Sequence, residues 1–131
     1  MKYQQTLKNT YSFEGKGLHT GKYSHMKVCP APENTGIRFI REDLGDDAFV
    51  EASACRVSST ARSTTISRDQ ASVSTIEHLM AALAGLQIDN VLVEINAEET
   101  PILDGSSRLY VEALNKAQRV EQDAERTYFQ V

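Results

Sequence analysis

Glutamate and histidine stand side by side at Glu77 and His78. Imidazole is a preferred zinc ligand, and a carboxylate next to a metal can take a proton from an attacking water. The pair could therefore supply one metal site with a ligand and a base. In the structural alternative, Glu77 caps a helix and His78 lies on the surface. The zinc motif HExxH is excluded, because position 81 is Ala.

A glycine-rich segment, Gly15–Gly21, contains a second histidine, His19. Its spacing is close to that of a GxGxxG phosphate loop, but the third glycine comes one position late. A strand pattern follows it instead of a helix, which excludes a dinucleotide-binding site. Two interpretations stay open: a hairpin whose glycines allow positive φ, or a ligand-facing loop that presents His19.

The polar run Arg62–Thr65, which includes Ser63, stands at the start of a predicted strand. Such a strand can present backbone N–H and C=O groups to a ligand, but threonine-rich strands are also common in ordinary sheets. The acidic pair Glu98–Glu99 could bind a cation, although such pairs are more often solvated. Cys29 and Cys55 have no neighbouring base or metal-ligand spacing, so buried, inert thiols are expected.

Short strands and two helices must position these residues. Period-two patterns between turn residues predict the strands. They are expected at Thr6–Phe13, with an interruption at Asn9, and at Tyr23–Cys29, Ile37–Arg41, Phe49–Val57, Ser63–Ser67 and Asn90–Asn96. The helices are predicted at Thr75–Ala84, where Ser74 and Glu77 match a capping box, and at Ser107–Gln122. The second helix is amphipathic, which is typical of a surface helix packed on a sheet.

The first helix is unusual because small residues stand opposite its apolar stripe. At 100° per residue the stripe contains Ile76, Leu79, Met80 and Leu83, and the opposite side contains Glu77, His78, Ala81, Ala82 and Gly85. A solvent-facing side would normally carry Lys, Glu or Gln. We therefore expect both sides to be covered, one by the core and the other by a second domain. Residues 127–131 are typical of the start of a strand, which predicts a first domain at 1–126 and a truncated second one.

Composition limits the class of protein. The chain has 131 residues, of which 14 are Lys or Arg and 18 are Asp or Glu, for a net charge of −4. One domain of this length can bury a sizeable core. No apolar run approaches the roughly 20 residues of a membrane helix, and the polar start is not a secretory signal. The acidity argues against nucleic-acid binding, and two unpaired cysteines suggest reduced thiols in the cytosol.

Four segments taken in order resemble a known family. They are Gly15-x-Gly17-Leu18-His19-Thr20-Gly21, Pro30-Ala31-Pro32-x-Asn34-Thr35-Gly36, the run from Ser74 to Asn90 that begins Ser-Thr-Ile-Glu-His-Leu, and Pro101-Ile102-x-Asp104-Gly105-Ser106. This combination is similar to that of UDP-3-O-acyl-N-acetylglucosamine deacetylases, which perform the committed step of lipid A synthesis in Gram-negative bacteria. The resemblance spans nearly the whole chain.

The resemblance implies an α+β two-layer sandwich, in which one sheet is packed by two helices and carries a small β insert, related to the module of the GHMP kinases. It implies a zinc-dependent amidase of two such domains, with zinc and substrate between them. His78 corresponds to one zinc ligand and Glu77 to the general base. The remaining ligands would come from the second domain, so the fragment alone is expected to be inactive.

The resemblance also implies substrate contacts for Arg62, Ser63 and His19, with the strand near Ser63 beside the metal and the acyl chain. The family often has a cysteine at this position. The expected partners are UDP-3-O-acyl-N-acetylglucosamine and the enzyme's own second domain, in a cytoplasmic monomer unless it is fused to another enzyme. The alternative is a free-standing, non-catalytic α/β module that binds a ligand or a protein.

Overall fold

The computed structural model describes residues 3–45, 47–60 and 63–126. This part of the chain is α+β, as predicted, with helices α1 (Glu77–Gly85) and α2 (Arg108–Ala117). The strands are β1 (Tyr3–Leu7), β2 (Tyr11–Lys16), β3 (Tyr23–Pro30), β4 (Ile37–Arg41), β5 (Phe49–Glu51), β6 (Val57–Ser59), β7 (Thr65–Arg68), β8 (Ala71–Ser74), β9 (Val91–Ile95) and β10 (Arg119–Glu125). Short 3-10 turns occupy Glu42–Leu44 and Ala54–Arg56.

A mixed five-stranded sheet in the order β2-β3-β9-β4-β5 forms the framework. The β4–β9 pair is parallel and the other pairs are antiparallel. One face of this sheet and the inner faces of both helices share a single apolar core. Its fully buried members include Met26, Val28, Phe39, Val93, Ile95, Leu79, Leu83, Tyr110 and Leu114. The period-two burial along β3 and β9 follows from the alternation of side chains on a strand.

Two smaller sheets complete the described part of the chain. β6, β7 and β8 form a three-stranded antiparallel sheet, which is the predicted β insert, and β1 pairs with β10. The insert leads into α1, since β8 ends at Ser74 and α1 begins three residues later at Glu77. Within the described residues, neither helix has the length and apolar character needed to cross a membrane.

The strand predictions at β3, β4 and β9 are confirmed to within a residue at each end. The predicted strand Thr6–Phe13, with its interruption at Asn9, is in fact two strands, because the chain turns between β1 and β2. There the backbone N–H groups of Lys8 and Asn9 bond to the carbonyl oxygens of Gln118 and Ala117 at 2.9 and 3.2 Å. The turn is thus fixed by the end of α2, which is remote in sequence.

Other boundaries also differ from the predictions, among them the start of α1, which lies at Glu77 and not at Thr75. The strand predicted at Phe49–Val57 is divided by a 3-10 turn into β5 and β6. The strand predicted at Ser63–Ser67 begins only at Thr65. The helix predicted at Ser107–Gln122 stops at Ala117, because Gln118 has a φ of +65° and the chain then enters β10.

Burial corrects the predicted small-residue face of α1. Ala82 is 0% exposed and belongs to the core together with Leu79 and Leu83. Ala81 and Gly85 are exposed, as is Ala84. At 100° per residue, Ala82 lies only 60° from Leu79, so it falls within the core-facing side. The outer face of α1, meaning Ala81, Ala84 and Gly85, is therefore narrower than predicted.

The cysteine prediction is also wrong in part. Cys29 is half-buried and Cys55 is exposed, so neither is a buried thiol. The predicted strand start at 127–131 lies outside the described residues.

Candidate functional site

Glu77 is the first residue of α1 and is half-buried. Its Oε2 accepts a hydrogen bond from the backbone N–H of Thr64 at 3.1 Å. Its Oε1 is buried and has no hydrogen-bond partner among the described residues. Buried polar atoms in native proteins are nearly always paired, so an unpaired carboxylate oxygen calls for an explanation. This oxygen is available to accept a proton or a hydrogen bond from a ligand.

The capping box predicted from Ser74 and Glu77 does not form. The hydroxyl of Ser74 donates to the carbonyl oxygen of Glu98 at 3.2 Å, and the N-cap position is occupied by Ile76 without a side-chain cap. The prediction fails because Thr75 has a φ of +60°, which turns Ser74 away from the helix. Glu77 therefore takes no part in a capping box, and its carboxylate bonds to Thr64 instead.

His78 follows Glu77 and is half-buried. Among the described residues, no side chain is hydrogen-bonded or ion-paired to its imidazole. The described residues contain no group of three or more His, Cys, Asp or Glu side chains arranged to hold a metal. A catalytic zinc ion usually takes three protein ligands. A metal bound by His78 would therefore need ligands from outside the described residues.

A small pocket of about 250 Å³ opens beside the Glu77 carboxylate, between the β6–β8 insert and α1. Val57 and Ile66 of the insert line one side of the pocket. Met80 of α1 and Ile76, which directly precedes α1, line the other. The pocket is mostly apolar, and Glu77 is part of its lining. A group bound there would meet Glu77 as its nearest acidic partner.

The predicted residue Ser63 precedes Thr64, which lines this pocket. Ser63 is half-buried and directly precedes Thr64, whose backbone N–H contacts Glu77. The polar run was predicted either to present backbone groups to a ligand or to be an ordinary threonine-rich strand. The N–H of Thr64 bonds to Glu77 within the chain, so presentation to a ligand stays a prediction. Arg62 lies outside the described residues.

The structure places His19 on the connection between β2 and β3, which pair as an antiparallel hairpin. The hairpin interpretation of the glycine-rich segment is thus correct, and the His19 side chain is exposed. Gly21 has the expected positive φ, at +70°, but Gly17 does not. His19, Glu77 and His78 all lie in the described part of the chain, and no hydrogen bond joins the His19 side chain to either of the other two.

The sequence interpretation missed Glu99. It was expected to be solvated with Glu98, but it is 1% exposed. Its carboxylate accepts the backbone N–H groups of His19 and Thr20 and the hydroxyl of Thr75. A signal was present: the buried positions of β9 are odd-numbered, from Val91 to Ile95, and continuing that period reaches position 99.

Thr75 was also missed. It is a buried β-branched residue with a φ of +60°, an arrangement that costs about 1–3 kcal/mol and persists only when neighbouring contacts impose it. Those contacts are a hydrogen bond from its N–H to the Thr64 carbonyl at 2.9 Å and one from the Thr100 hydroxyl to its own carbonyl at 2.5 Å. Nothing in the local sequence indicates positive φ at a threonine. The strain lies two residues before Glu77.

Comparison with known proteins gives consistent matches. The family model for UDP-3-O-acyl N-acetylglycosamine deacetylase matches residues 4–131. A protein of Citrifermentans bemidjiense named UDP-3-O-acyl-N-acetylglucosamine deacetylase is 53% identical over 117 residues, which are 89% of this chain and 38% of that protein. One of the same name from Chromohalobacter salexigens is 45% identical over 128 residues, 98% of this chain and 42% of that protein.

A longer relative matches equally well. The "Bifunctional enzyme LpxC/FabZ" of Porphyromonas gingivalis is 47% identical over 129 residues, which cover 98% of this chain and 28% of that protein. The chain therefore spans less than half the length of each of these curated relatives.

Proposed function

Because the chain belongs to the UDP-3-O-acyl N-acetylglycosamine deacetylase family, we propose that it is the first domain of a zinc-dependent deacetylase. The proposed reaction is hydrolysis of the N-acetyl amide of UDP-3-O-acyl-N-acetylglucosamine, in the synthesis of lipid A. The observation that carries the proposal is the buried Oε1 of Glu77, which has no hydrogen-bond partner among the described residues, next to His78, whose imidazole likewise has none among them.

The donor set suits zinc, since it combines an imidazole with a neighbouring carboxylate that is free to act as a base. In this proposal His78 is one zinc ligand, and the other ligands belong to the second domain. Bound zinc polarises a carbonyl group and lowers the pKa of water. With a single ligand, the 131-residue chain alone is expected to bind zinc weakly and to be inactive.

Glu77 is the proposed general base. The N–H of Thr64 fixes Oε2 at 3.1 Å and thereby orients the carboxylate. Oε1 remains free to accept the proton of the water that attacks the amide carbonyl. Since Thr64 belongs to the β insert and Glu77 to α1, the insert fixes the orientation of the base.

Ser63, Arg62 and His19 are the proposed substrate contacts. Ser63 is supported by its position beside Thr64, and the apolar pocket next to Glu77 fits part of an acylated substrate. Four further points stay predictions from the family resemblance. They are the cytoplasmic location, the monomeric state, the division into domains at residue 126 and the likeness to the GHMP-kinase module.

The proposal is tested by replacing Glu77→Gln in the complete enzyme. We expect kcat to fall by about 10²–10⁴-fold, the usual contribution of a general base. The zinc content should not change, because Glu77 is not a ligand. Glu112→Gln, at an exposed position on α2, is the matched control and should leave both quantities unchanged.

His78→Ala should lower both zinc content and activity, since it removes a ligand. The proposal would be refuted if Glu77→Gln lowered the melting temperature but left the activity per folded molecule intact. It would also fail if the unaltered enzyme released no acetate from the substrate.

A further inference from the structure

Glu99 carries a buried charge that the proposed reaction does not use. Its Oε1 accepts the N–H groups of His19 and Thr20 at 3.1 and 2.8 Å, and its Oε2 accepts the hydroxyl of Thr75. Burial raises the pKa of Glu99, but these hydrogen bonds lower it further than burial raises it. The pKa therefore lies below its ordinary value of 4.5, and the side chain is ionised at neutral pH.

The loop that carries His19 is folded around this carboxylate. Hydrogen bonds between Gly17 and Lys22 at 2.9 Å and between Gly21 and Gly17 at 3.1 Å close the loop, which we call loop 17–22. A Cβ atom added at Gly17 would lie 2.3 Å from Oε1 of Glu99. Glycine is thus needed at position 17 because the carboxylate approaches so closely, and not because of its backbone angles.

The other side of the carboxylate meets the turn that starts α1. Thr75 donates its hydroxyl to Glu99 and lies two residues before Glu77. Its N–H bonds to the carbonyl of Thr64, and the N–H of Thr64 bonds to Glu77. A continuous series of hydrogen bonds therefore runs from the backbone of His19 through Glu99, Thr75 and Thr64 to Glu77.

We propose that Glu99 is a positioning residue that holds loop 17–22 against the start of α1, and so places His19 relative to Glu77 and His78 for the reaction. This inference rests on the proposed function. Glu99 touches neither substrate nor metal in this arrangement. It acts through two backbone N–H groups on one side and through a strained threonine on the other.

The neighbouring Glu98 provides a matched control. It also contacts loop 17–22, through an ion pair with Lys22 at 2.8 Å, but the Lys22 and Glu98 side chains are 64% and 41% exposed. Exposed ion pairs contribute little and are screened by salt. Glu98→Ala removes the same charge one position away without opening the buried network.

The test uses the complete enzyme with Glu99→Ala, Glu99→Gln and Glu98→Ala. Glu99→Ala should lower kcat per folded molecule by about 10- to 100-fold, the scale of a misplacement of about 1 Å. Amide hydrogen exchange at His19 and Thr20 should become about 10- to 100-fold faster, because hydrogen bonds to a charged group are lost.

Glu99→Gln should restore most of the activity, because the amide oxygen can still accept from loop 17–22 and the amide nitrogen can donate to the Thr75 hydroxyl. Glu98→Ala should resemble the unaltered enzyme in both measurements. If Glu99→Ala does not fold, Gly17→Ala displaces the loop with the carboxylate intact and should lower kcat in the same range.

The positioning role is overturned if Glu99→Ala, or Gly17→Ala in its place, keeps full kcat per folded molecule, whether or not exchange at His19 and Thr20 becomes faster. It is equally overturned if Glu99→Gln is as inactive as Glu99→Ala although it restores slow exchange. Failure of the proposed function gives a different result, an unaltered enzyme without deacetylase activity. In that case the exchange rates still decide whether Glu99 holds loop 17–22.

Discussion

The two helices share one core but differ on their outer faces. α2 exposes Glu112, Asn115 and Lys116, whereas α1 exposes Ala81, Ala84 and Gly85. Charged and amide side chains are typical of a helix in contact with water. Alanine and glycine add little to solvation and allow another backbone to approach closely. Within the described residues both faces are exposed, so the packing of this part of the chain does not account for the difference.

The helices also begin differently. The start of α1 is held by the buried Glu99, whereas the start of α2 is held by exposed groups, with Asp104 accepting the N–H and hydroxyl of Ser106. The Oγ of Ser106 in turn accepts the N–H of Arg108 at 3.2 Å. The helix with the proposed catalytic residues is thus fixed by the interior of the molecule, and the other by surface contacts.

The largest expected effect tests whether the inner faces are equivalent. Leu83 in α1 and Leu114 in α2 are both 0% exposed. Leu83→Ala and Leu114→Ala should each lower the free energy of unfolding by about 2–5 kcal/mol, through lost burial and the cavity left behind. Denaturant unfolding of the two variants measures this. A cost below about 1 kcal/mol for either one would show that the helices do not share the core equally.

A smaller difference in the free energy of unfolding is expected between substitutions at adjacent residues on the buried and the exposed side of α1. Ala82→Leu should lower the free energy of unfolding by about 1–3 kcal/mol, because it overpacks a position that is 0% exposed. Ala81→Leu, one residue earlier and exposed, should change it by less than about 0.5 kcal/mol. Equal costs at both positions in the 131-residue chain would contradict this assignment of the faces.

These two alanines also show what the sequence could predict. The apolar stripe of α1 and the position of β9 follow from periodicity, because a helix or strand repeats its own burial pattern. Ala82 was assigned to the wrong side because small residues occur both at close-packed interior positions and at surfaces. The helical period alone places Ala82 at the margin of the apolar stripe. Its burial in the core is seen only in the folded chain, where Leu79, Ala82 and Leu83 are buried together.

The missing parts of the site prediction have a different cause. Glu77 and His78 could be identified from their types and adjacency. The partner of Glu77 is a backbone N–H at Thr64, 13 residues earlier, and a backbone donor has no signature in sequence. The positive φ of Thr75 likewise depends on Thr64, Thr100 and Glu99, which only the folded chain brings together.

The outer faces can be compared by adding a charge to each. Ala81→Lys and Asn115→Lys should both change the free energy of unfolding of the 131-residue chain by less than about 0.5 kcal/mol. If a second domain covers α1, Ala81→Lys should cost about 1–2 kcal/mol in the complete enzyme through overpacking, and its zinc content should fall. Asn115→Lys should stay neutral there. A neutral Ala81→Lys in both proteins would mean that the outer face of α1 is not covered.

The smallest expected effect concerns pH and the start of α1. The Glu99 pKa is lower in the folded chain than its ordinary value of 4.5, so the ionised carboxylate stabilises the fold. That contribution is complete above about pH 4.5 and is lost as the pH falls through the lower, folded pKa.

An amide in its place forms weaker hydrogen bonds, so Glu99→Gln should lower the free energy of unfolding by about 1 kcal/mol at pH 7. The difference between the unaltered chain and Glu99→Gln should stay constant from pH 7 to 5 and narrow below 4.5. Asp104→Asn, at the exposed start of α2, should give a much smaller difference, because solvent screens that carboxylate. Unfolding curves at several pH values provide the measurement. If the Glu99→Gln difference persisted unchanged at pH 3, the charge of Glu99 would not be what holds the start of α1.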